Sequence, residues 1–403
     1  MMGSFRRRNC TCKKKRCTCG AKIYYRYDIT DPKTGKRKQK EAGGFRTKVE
    51  AEEAAKRIQA ELLNGTYIEE KSITFEQFSQ EWLTSYQNTG KVKISTVRIR
   101  QHEIDKLMLY FGKLRLKDIT KKQYQDALND LKKKDYADNT IDGVHRTGRM
   151  IFKRAVELEV LKNDPTQYAI VPKSQITVEE LEQEKEIPKY LEKEELAIFL
   201  QTAKEHGLNR DYPIFLTLAY TGIRVGELCA LKWSDIDTVE QTISISKTYY
   251  NPINNIKEYK LLTPKTKTSK RIIDVDEIVL AELEKHRIEQ NKIRMSYRNT
   301  YHDKGFVFAQ QSKEYAGYPA YIKLVEIRIA RLLKLAKLNP HLTPHSLRHT
   351  HTSLLAEAGA SLEQIMQRLG HSDDDTTRNI YLHVTKPKKK EASQKFAELM
   401  RGI

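Results

Sequence analysis

The sequence has no apolar run approaching the roughly 20 residues of a membrane-spanning helix, which excludes a helical membrane protein. No apolar core follows the Arg6–Arg8 cations, so the N-terminus does not read as a secretory signal, and we expect a cytoplasmic, nucleoid-associated protein. Internal repeats and long low-complexity tracts are absent, which sets solenoids and disordered tails aside. Acids are in short supply: 53 Asp and Glu face 73 Lys and Arg, a formal charge of +20. Cysteine is scarce too, five in 403 residues, yet four of the five crowd together. What remains is a 39% hydrophobic chain, long enough for two or three domains with cores of their own.

The charge is unevenly spread. Met1 to Lys48 carry sixteen Lys and Arg against Asp28, Asp31 and Glu41, a local excess of +13, and the other 355 residues carry +7. That concentration calls for a separate basic module with a polyanionic partner. A membrane-surface reading needs a basic amphipathic helix, and this segment alternates like strands. Ala21–Ile29 interleaves aromatics with cations, Asp31–Lys36 is a turn, Gly43-Gly44 closes a further strand, and Thr47 with Glu50 opens an Ala-rich helix. We expect a three-stranded sheet plus one helix over residues 1–65, its basic strands suited to a DNA groove. Cys10, Cys12, Cys17 and Cys19 form a C-x-C-x4-C-x-C run beside Lys13–Arg16. Two readings stand: a tetrahedral zinc site, with the cations favouring thiolates, or a reduced, redox-labile cluster. Disulfides fit a reducing compartment poorly. Cys229, in an apolar helical pattern, reads as core.

Residues 72–168 show only helical signals. Thr74 with Gln77 and Thr120 with Gln123 are capping boxes, a helix starts near Ser95-Thr96, and another runs from about Asn139 to Asn163-Asp164-Pro165. Four helices make a compact bundle, and Lys91, Lys93, Arg98 and Arg100 suit phosphate contact. Pro172 and the acidic Glu179–Glu184 mark a linker over 169–187. From 188 to 384 helical segments surround three strand signals, Thr242–Tyr249, Glu258–Thr263 and Arg271–Val275, the last two joined by the basic hairpin Pro264–Lys270. A Lys/Pro break precedes an amphipathic tail, 385–403.

One stretch carries chemistry. Thr343-Pro344-His345-Ser346-Leu347-Arg348 places His345 and Arg348 three apart near a helix N-terminus, where a fork, an imidazole and the helix dipole suit a phosphate. His371 follows, and Tyr381 ten residues later. Upstream, Gly222 permits a bend that presents Arg224 rather than burying it. A phenol has a pKa near 10, so to attack a phosphodiester it needs cations on the non-bridging oxygens, a proton acceptor, and an acid for the leaving oxygen. Arg224 and Arg348 supply the first, His345 or His371 the second, and a hairpin Lys, Lys265 or Lys267, the third. A covalent phosphotyrosine conserves the energy of the broken bond, so neither ATP nor a metal is required.

These boxes resemble those of the tyrosine recombinases, in particular the integrases of conjugative transposons and temperate phages of Gram-positive bacteria. Thr221–Glu227 resembles the first Arg box, His345–Thr350 the H-x-x-R box, and Leu369-Gly370-His371 with Tyr381 the last. The resemblance spans essentially the whole chain. It implies a multidomain α+β fold: a small β-sheet-plus-helix arm-type DNA-binding domain (1–65), an all-α, SAM-like core-binding domain (72–168) and a mainly α catalytic domain with a small antiparallel β-sheet (188–384). It also implies that Arg224, His345, Arg348 and His371 activate the phosphate, Tyr381 attacks, and a hairpin Lys is the general acid. Lys265, in Pro-Lys-Thr, fits the family's position best; Lys267 fits if the turn is counted from the following strand. Four protomers would synapse two double-stranded DNA sites through a Holliday junction, the tail docking on a neighbour, with an excisionase or DNA-bending protein as accessory. The cysteine run is outside the family pattern.

Three rivals share features. A type IB topoisomerase uses the same chemistry but needs no synapsis and no basic N-terminal module. A DNA-binding regulator on the same scaffold would not need the full Arg/His/Arg/His/Tyr set. A metal nuclease could use Asp373-Asp374-Asp375, but that run precedes Thr376-Thr377 at a helix start, where the dipole favours Asp.

Overall fold

The computed structural model describes residues 3–8, 10–12, 19–30, 35–64, 67, 72–174, 190–264, 269–370, 375–384 and 401. Lys265, Lys267, His371, Cys17, the acidic linker run and the tail 385–400 lie outside the described residues. The chain divides into two units, Met1–Thr177 and Val178–Ile403.

The first unit opens with an antiparallel sheet in the order β1 (Ser4–Arg7), β2 (Ile23–Thr30), β3 (Arg37–Phe45). Strand alternation decides its faces. Ile23, Tyr25 and Tyr27 are buried, and α1 (Lys48–Leu63) lays Ala51, Ala54 and Ala55 on that side. Small residues let the helix sit close to the tyrosine rings. The opposite face carries Tyr24 and Arg26, and Gly43 has no side chain because the Tyr24 ring occupies the space a Cβ would fill. Sequence alternation found β2 and β3 but not β1, which is four exposed residues held by pairing with β2.

Four helices follow: α2 (Phe75–Asn88), α3 (Ile94–Phe111), α4 (Lys121–Lys133) and α5 (Asp138–Glu157). Both expected capping boxes form, with Thr74 and Gln77, and Thr120 and Gln123, exchanging side-chain and backbone bonds. Phe75, Phe111, Tyr124 and Phe152 meet at the centre with Ile104, Leu107, Leu128 and Ile151, so this bundle has a core of its own.

The second unit is mainly helical. It begins α6 (Lys193–His206), α7 (Asp211–Thr221) and α8 (Val225–Ala230). A small sheet in the order β4 (Ile236–Asp237), β5 (Thr242–Ile245), β8 (Arg271–Asp274) follows, with a separate hairpin of β6 (Thr248–Tyr250) and β7 (Lys260–Leu262). Then come α9 (Glu277–Ser296), α10 (Ile322–Leu335), α11 (Pro344–Glu357), α12 (Leu362–Leu369) and α13 (Asp375–Val384). The stretch read as one strand over Thr242–Tyr249 is two: β5 pairs with β8 and β6 with β7. Between them Lys247 turns onto Asp235 at 2.6 Å.

Nine of the eleven α7 residues are buried, so this helix is the post around which the unit packs. Its first residue, Asp211, is fully buried, accepts the Leu208 N–H at 2.8 Å, and faces Arg328 at 3.1 Å and Arg331 at 4.0 Å. Carboxylate, helix N-terminus and cations reinforce one another there. Asp211→Ala removes the buried anion from its partners and should cost about 3 kcal/mol of unfolding free energy, read in a urea melt. A loss within experimental error would show that these charges contribute nothing net.

Candidate active site

The site begins where α7 ends. Gly222 takes φ +63°, and a Cβ there would lie 2.6 Å from the His351 ring and 2.9 Å from the Leu369 side chain. Left-handed backbone and close approach both require glycine. The reversal brings Arg224 to the N-cap of α8, in extended conformation. Its backbone N–H donates to Glu227 Oε2 at 2.9 Å and its guanidinium to Oε1 at 3.0 Å. The Arg224 side chain is 37% exposed.

Glu227 is buried and shared. Arg271, first residue of β8, forks onto the same carboxylate at 3.0 and 3.3 Å. Burial alone would raise the Glu227 pKa, but the Arg271 bonds and charge, with the Arg224 N–H and guanidinium, outweigh it and hold it below the usual value. The carboxylate stays ionised and fixes two guanidiniums at once.

Arg348 closes the ring. It is among the largest fully buried side chains, on the first turns of α11, where Pro344 occupies an N-terminal position and Thr343 and Ser346 bond reciprocally. Its two terminal nitrogens donate to Gly222 O and Leu369 O, each at 2.7 Å. Arg271 Nε donates to Arg368 O, also at 2.7 Å. Two arginines therefore take consecutive carbonyls at the C-terminal end of α12, groups that a helix leaves unsatisfied and whose partial negative charge favours cations. Gly370, left-handed at φ +70°, then turns the chain toward 371.

His345 is exposed on the first turn of α11, its ring edge-on to His349 with centroids 4.7 Å apart. Tyr381 is half-buried on α13 and packs on Ala356, Ile365 and Leu369, the cluster joining α11 to α12. The strand that runs toward Lys265 is anchored by Tyr259, stacked on Tyr249 and bonded through its hydroxyl to His302 Nε2 at 2.9 Å. The fold thus ties the Arg224 segment to Arg348 and to the residue two before His371, and packs the Tyr381 helix on the same elements.

Sequence reasoning missed Glu227, Arg271, His351 and Arg368. Glu227 was legible as the acid three residues after Arg224. His351 is buried, with Nδ1 2.9 Å from Ala219 O and Nε2 3.0 Å from Arg368 Nε. Arg368 also donates to Tyr220 O and Asp274 O. A guanidinium only donates, so Nε2 accepts and Nδ1 carries the proton: the ring is neutral. Burial first, then the Arg368 and Arg348 charges, push its pKa down to about 3.

That displacement has a pH consequence. From an ordinary value of 6.5 to a folded value of about 3, the unfolded chain binds the extra proton, so stability rises with pH across this window. Acidification from about pH 6.5 to about pH 5 should cost ~2 kcal/mol through this ring alone. Urea melts over that range should show a shallower dependence for His351→Gln than for the wild type. Parallel curves would refute the buried neutral ring.

A profile of the phage integrase family matches residues 189–388, one of an arm DNA-binding domain 20–62, and one of the phage integrase N-terminal SAM-like domain 74–132. The integrase of Staphylococcus phage L54a is 30% identical over 358 residues, 85% of this chain and 98% of that protein. The ICEBs1 integrase of Bacillus subtilis (strain 168) is 26% identical, over 93% of this chain and 97% of its own. Among solved structures, the Tn1549 transposon integrase in complex with transposon right end DNA superposes with a TM-score of 0.63 at 21% identity, covering 81% of this chain and all of that one. A lambda integrase tetramer bound to a Holliday junction gives 0.54 at 19%, covering 89% and 92%. These two share the fold. The similarity runs through the arm and SAM-like modules, and the topoisomerase alternative does not call for the first of them. The chain belongs to the phage integrase family: it is a tyrosine recombinase, an enzyme that exchanges DNA strands and needs no cofactor for catalysis.

Proposed function

We propose that this integrase inserts and excises a mobile element, a conjugative transposon or a prophage, with Arg224, Lys265, His345, Arg348, His371 and Tyr381 as its catalytic residues. The observation that carries the assignment is Arg348, buried and strung between Gly222 O and Leu369 O at 2.7 Å. It joins three separate motif segments at one point. Arg224 and Arg348 fork onto the non-bridging oxygens of the scissile phosphate, where charge grows in the transition state. The Tyr381 oxygen attacks phosphorus, His345 or His371 takes the phenolic proton, and Lys265 gives a proton to the leaving 5′ oxygen. The 3′-phosphotyrosine keeps the bond energy, and a 5′-hydroxyl from the partner duplex attacks it to release the enzyme.

In this reading residues 1–65 hold arm-type DNA, 72–168 and 188–384 clamp the core site from opposite sides, 169–187 is the linker, and 385–403 docks on a neighbouring protomer. Four copies synapse two duplexes, as the lambda integrase tetramer bound to a Holliday junction suggests for the shared fold. An excisionase or DNA-bending protein sets direction, and the reaction takes place in the cytoplasm, on the nucleoid. The N-terminal cysteine cluster takes a structural zinc.

On a nicked suicide duplex of the element's core site, Tyr381→Phe should abolish the covalent protein–DNA band and leave binding close to wild type. A surviving band would move the nucleophile elsewhere. Lys265→Ala should slow cleavage by about 10²–10⁴-fold and recover on DNA with a 5′-bridging sulfur, whose leaving group needs no proton. Rescue of Lys267→Ala instead would transfer the general acid to that residue.

A further inference from the structure

The N-terminal cysteines are not absorbed by the recombination chemistry. The arm-domain profile begins at residue 20, so Cys10, Cys12, Cys19 and β1 all precede the matched region. Cys10 Sγ lies 3.7 Å from Cys19 Sγ. The three sulfurs all fall within 4.8 Å of one another. A disulfide would hold its pair at about 2.05 Å, whereas two thiolates about 2.3 Å from one tetrahedral ion sit about 3.8 Å apart. The Cys10–Cys19 spacing is too long for a disulfide and fits co-ligands, with the Cys12 sulfur within reach. An all-sulfur donor set selects thiophilic, tetrahedral cations and rejects Mg²⁺ and Ca²⁺.

The position of the cluster says what such an ion does. β1 is an edge strand of four exposed residues, separated from β2 by fifteen residues of sequence. Besides the ladder, its ties include the Phe5 ring on Tyr25, centroids 5.0 Å apart, and the Arg6 ion pair with Glu41 on β3. Arg8, just past the strand end, stacks on Tyr24 at 5.1 Å and pairs with Glu41, as Arg26 does at 3.3 Å. Three guanidiniums thus share one carboxylate on the sheet face away from α1, leaving excess positive charge there for phosphates. Two of the three hang on β1 and the residue after it. A clip between positions 10 and 19 shortens the open loop, and closing a loop removes entropy from the open state.

We propose that Cys10, Cys12 and Cys19 bind a zinc-type ion that clips β1 onto the sheet, so that arm-type DNA recognition, and not strand cleavage, depends on metal. The proposal rests on the arm-binding role given to this module above. Binding exchanges thiol protons for the cation, with no change of oxidation state.

Full-length protein purified without chelator should carry about one zinc per chain by elemental analysis, as one tetrahedral site requires. Co²⁺ substitution should give thiolate charge-transfer and tetrahedral d–d bands, and the Cys12→Ser/Cys19→Ser double variant should lose both signals. Stripping the metal, or that variant, should raise amide exchange at Ser4–Arg7 and weaken binding to duplex from the element's arm region about tenfold or more. Covalent trapping on the core-site suicide duplex should be unchanged. Substoichiometric zinc, a disulfide among these cysteines in the mass spectrum, or full metal content whose removal alters neither β1 exchange nor arm affinity would each overturn the proposal. Failure of the wild type to trap core DNA would strike the recombination mechanism instead, and metal content with β1 exchange would still decide this one.

Discussion

Everything at the active face depends on holding guanidiniums still without exhausting their charge. Arg271 and Glu227 show one half of the solution: side chains only 6% and 4% exposed, paired fork to fork. Removing one partner of such a pair strands the other, at a typical cost of about 3–5 kcal/mol. The carboxylate is therefore a fixed post, and Arg224 is braced on it through backbone and side chain together. Arg348 shows the other half. The bonds to Gly222 O and Leu369 O are to carbonyl dipoles, which orient a guanidinium without cancelling its charge as a carboxylate would. In the proposed mechanism, a phosphate meeting these two forks finds donors already in place, so little reorganisation remains for the transition state.

This explains why α12 is short and sharply ended. Its last turn leaves the Arg368 and Leu369 carbonyls to Arg271 and Arg348, and Gly370 ends the helix in the left-handed region. Ser361 and Gln364 fix the other end by reciprocal capping, so the register of those carbonyls is set from both sides. The Arg368 side chain then turns back to Tyr220 O, Asp274 O and His351, binding helix, sheet and α11 into one block. Tyr381 packs on that block without belonging to it.

What could be read in the sequence was what is local. Capping boxes at Thr74 and Thr120 depend on residues three apart, and both formed as read. At Thr47 the side chain caps Glu50 as expected, but the returning carboxylate takes the N–H of Arg46, one residue early. The motif residues were legible because helix position and spacing give them meaning. Strand partners were not: nothing near Ser246 and Lys247 announces that the chain changes sheets there, since β8 and β7 lie far along the sequence. Arg271 and His351 were hidden for the same reason. Each reads as an ordinary residue until Glu227, Arg368 and Ala219 are seen around it.

The two DNA-facing parts solve the arginine problem under opposite conditions. In the catalytic unit, the carboxylate that gathers guanidiniums is buried, and the low dielectric strengthens every bond. In the arm module, Glu41 gathers three arginines at the surface, where exposed ion pairs are each worth about 0–1 kcal/mol and are screened by salt. Tyr25, Tyr27 and Ala55 make a core that supports β2 and α1 but gives β1 little to lean on. A binding face of this kind needs a constraint from outside the hydrophobic core, and the loop beyond β1 is where one can act at the lowest entropic cost.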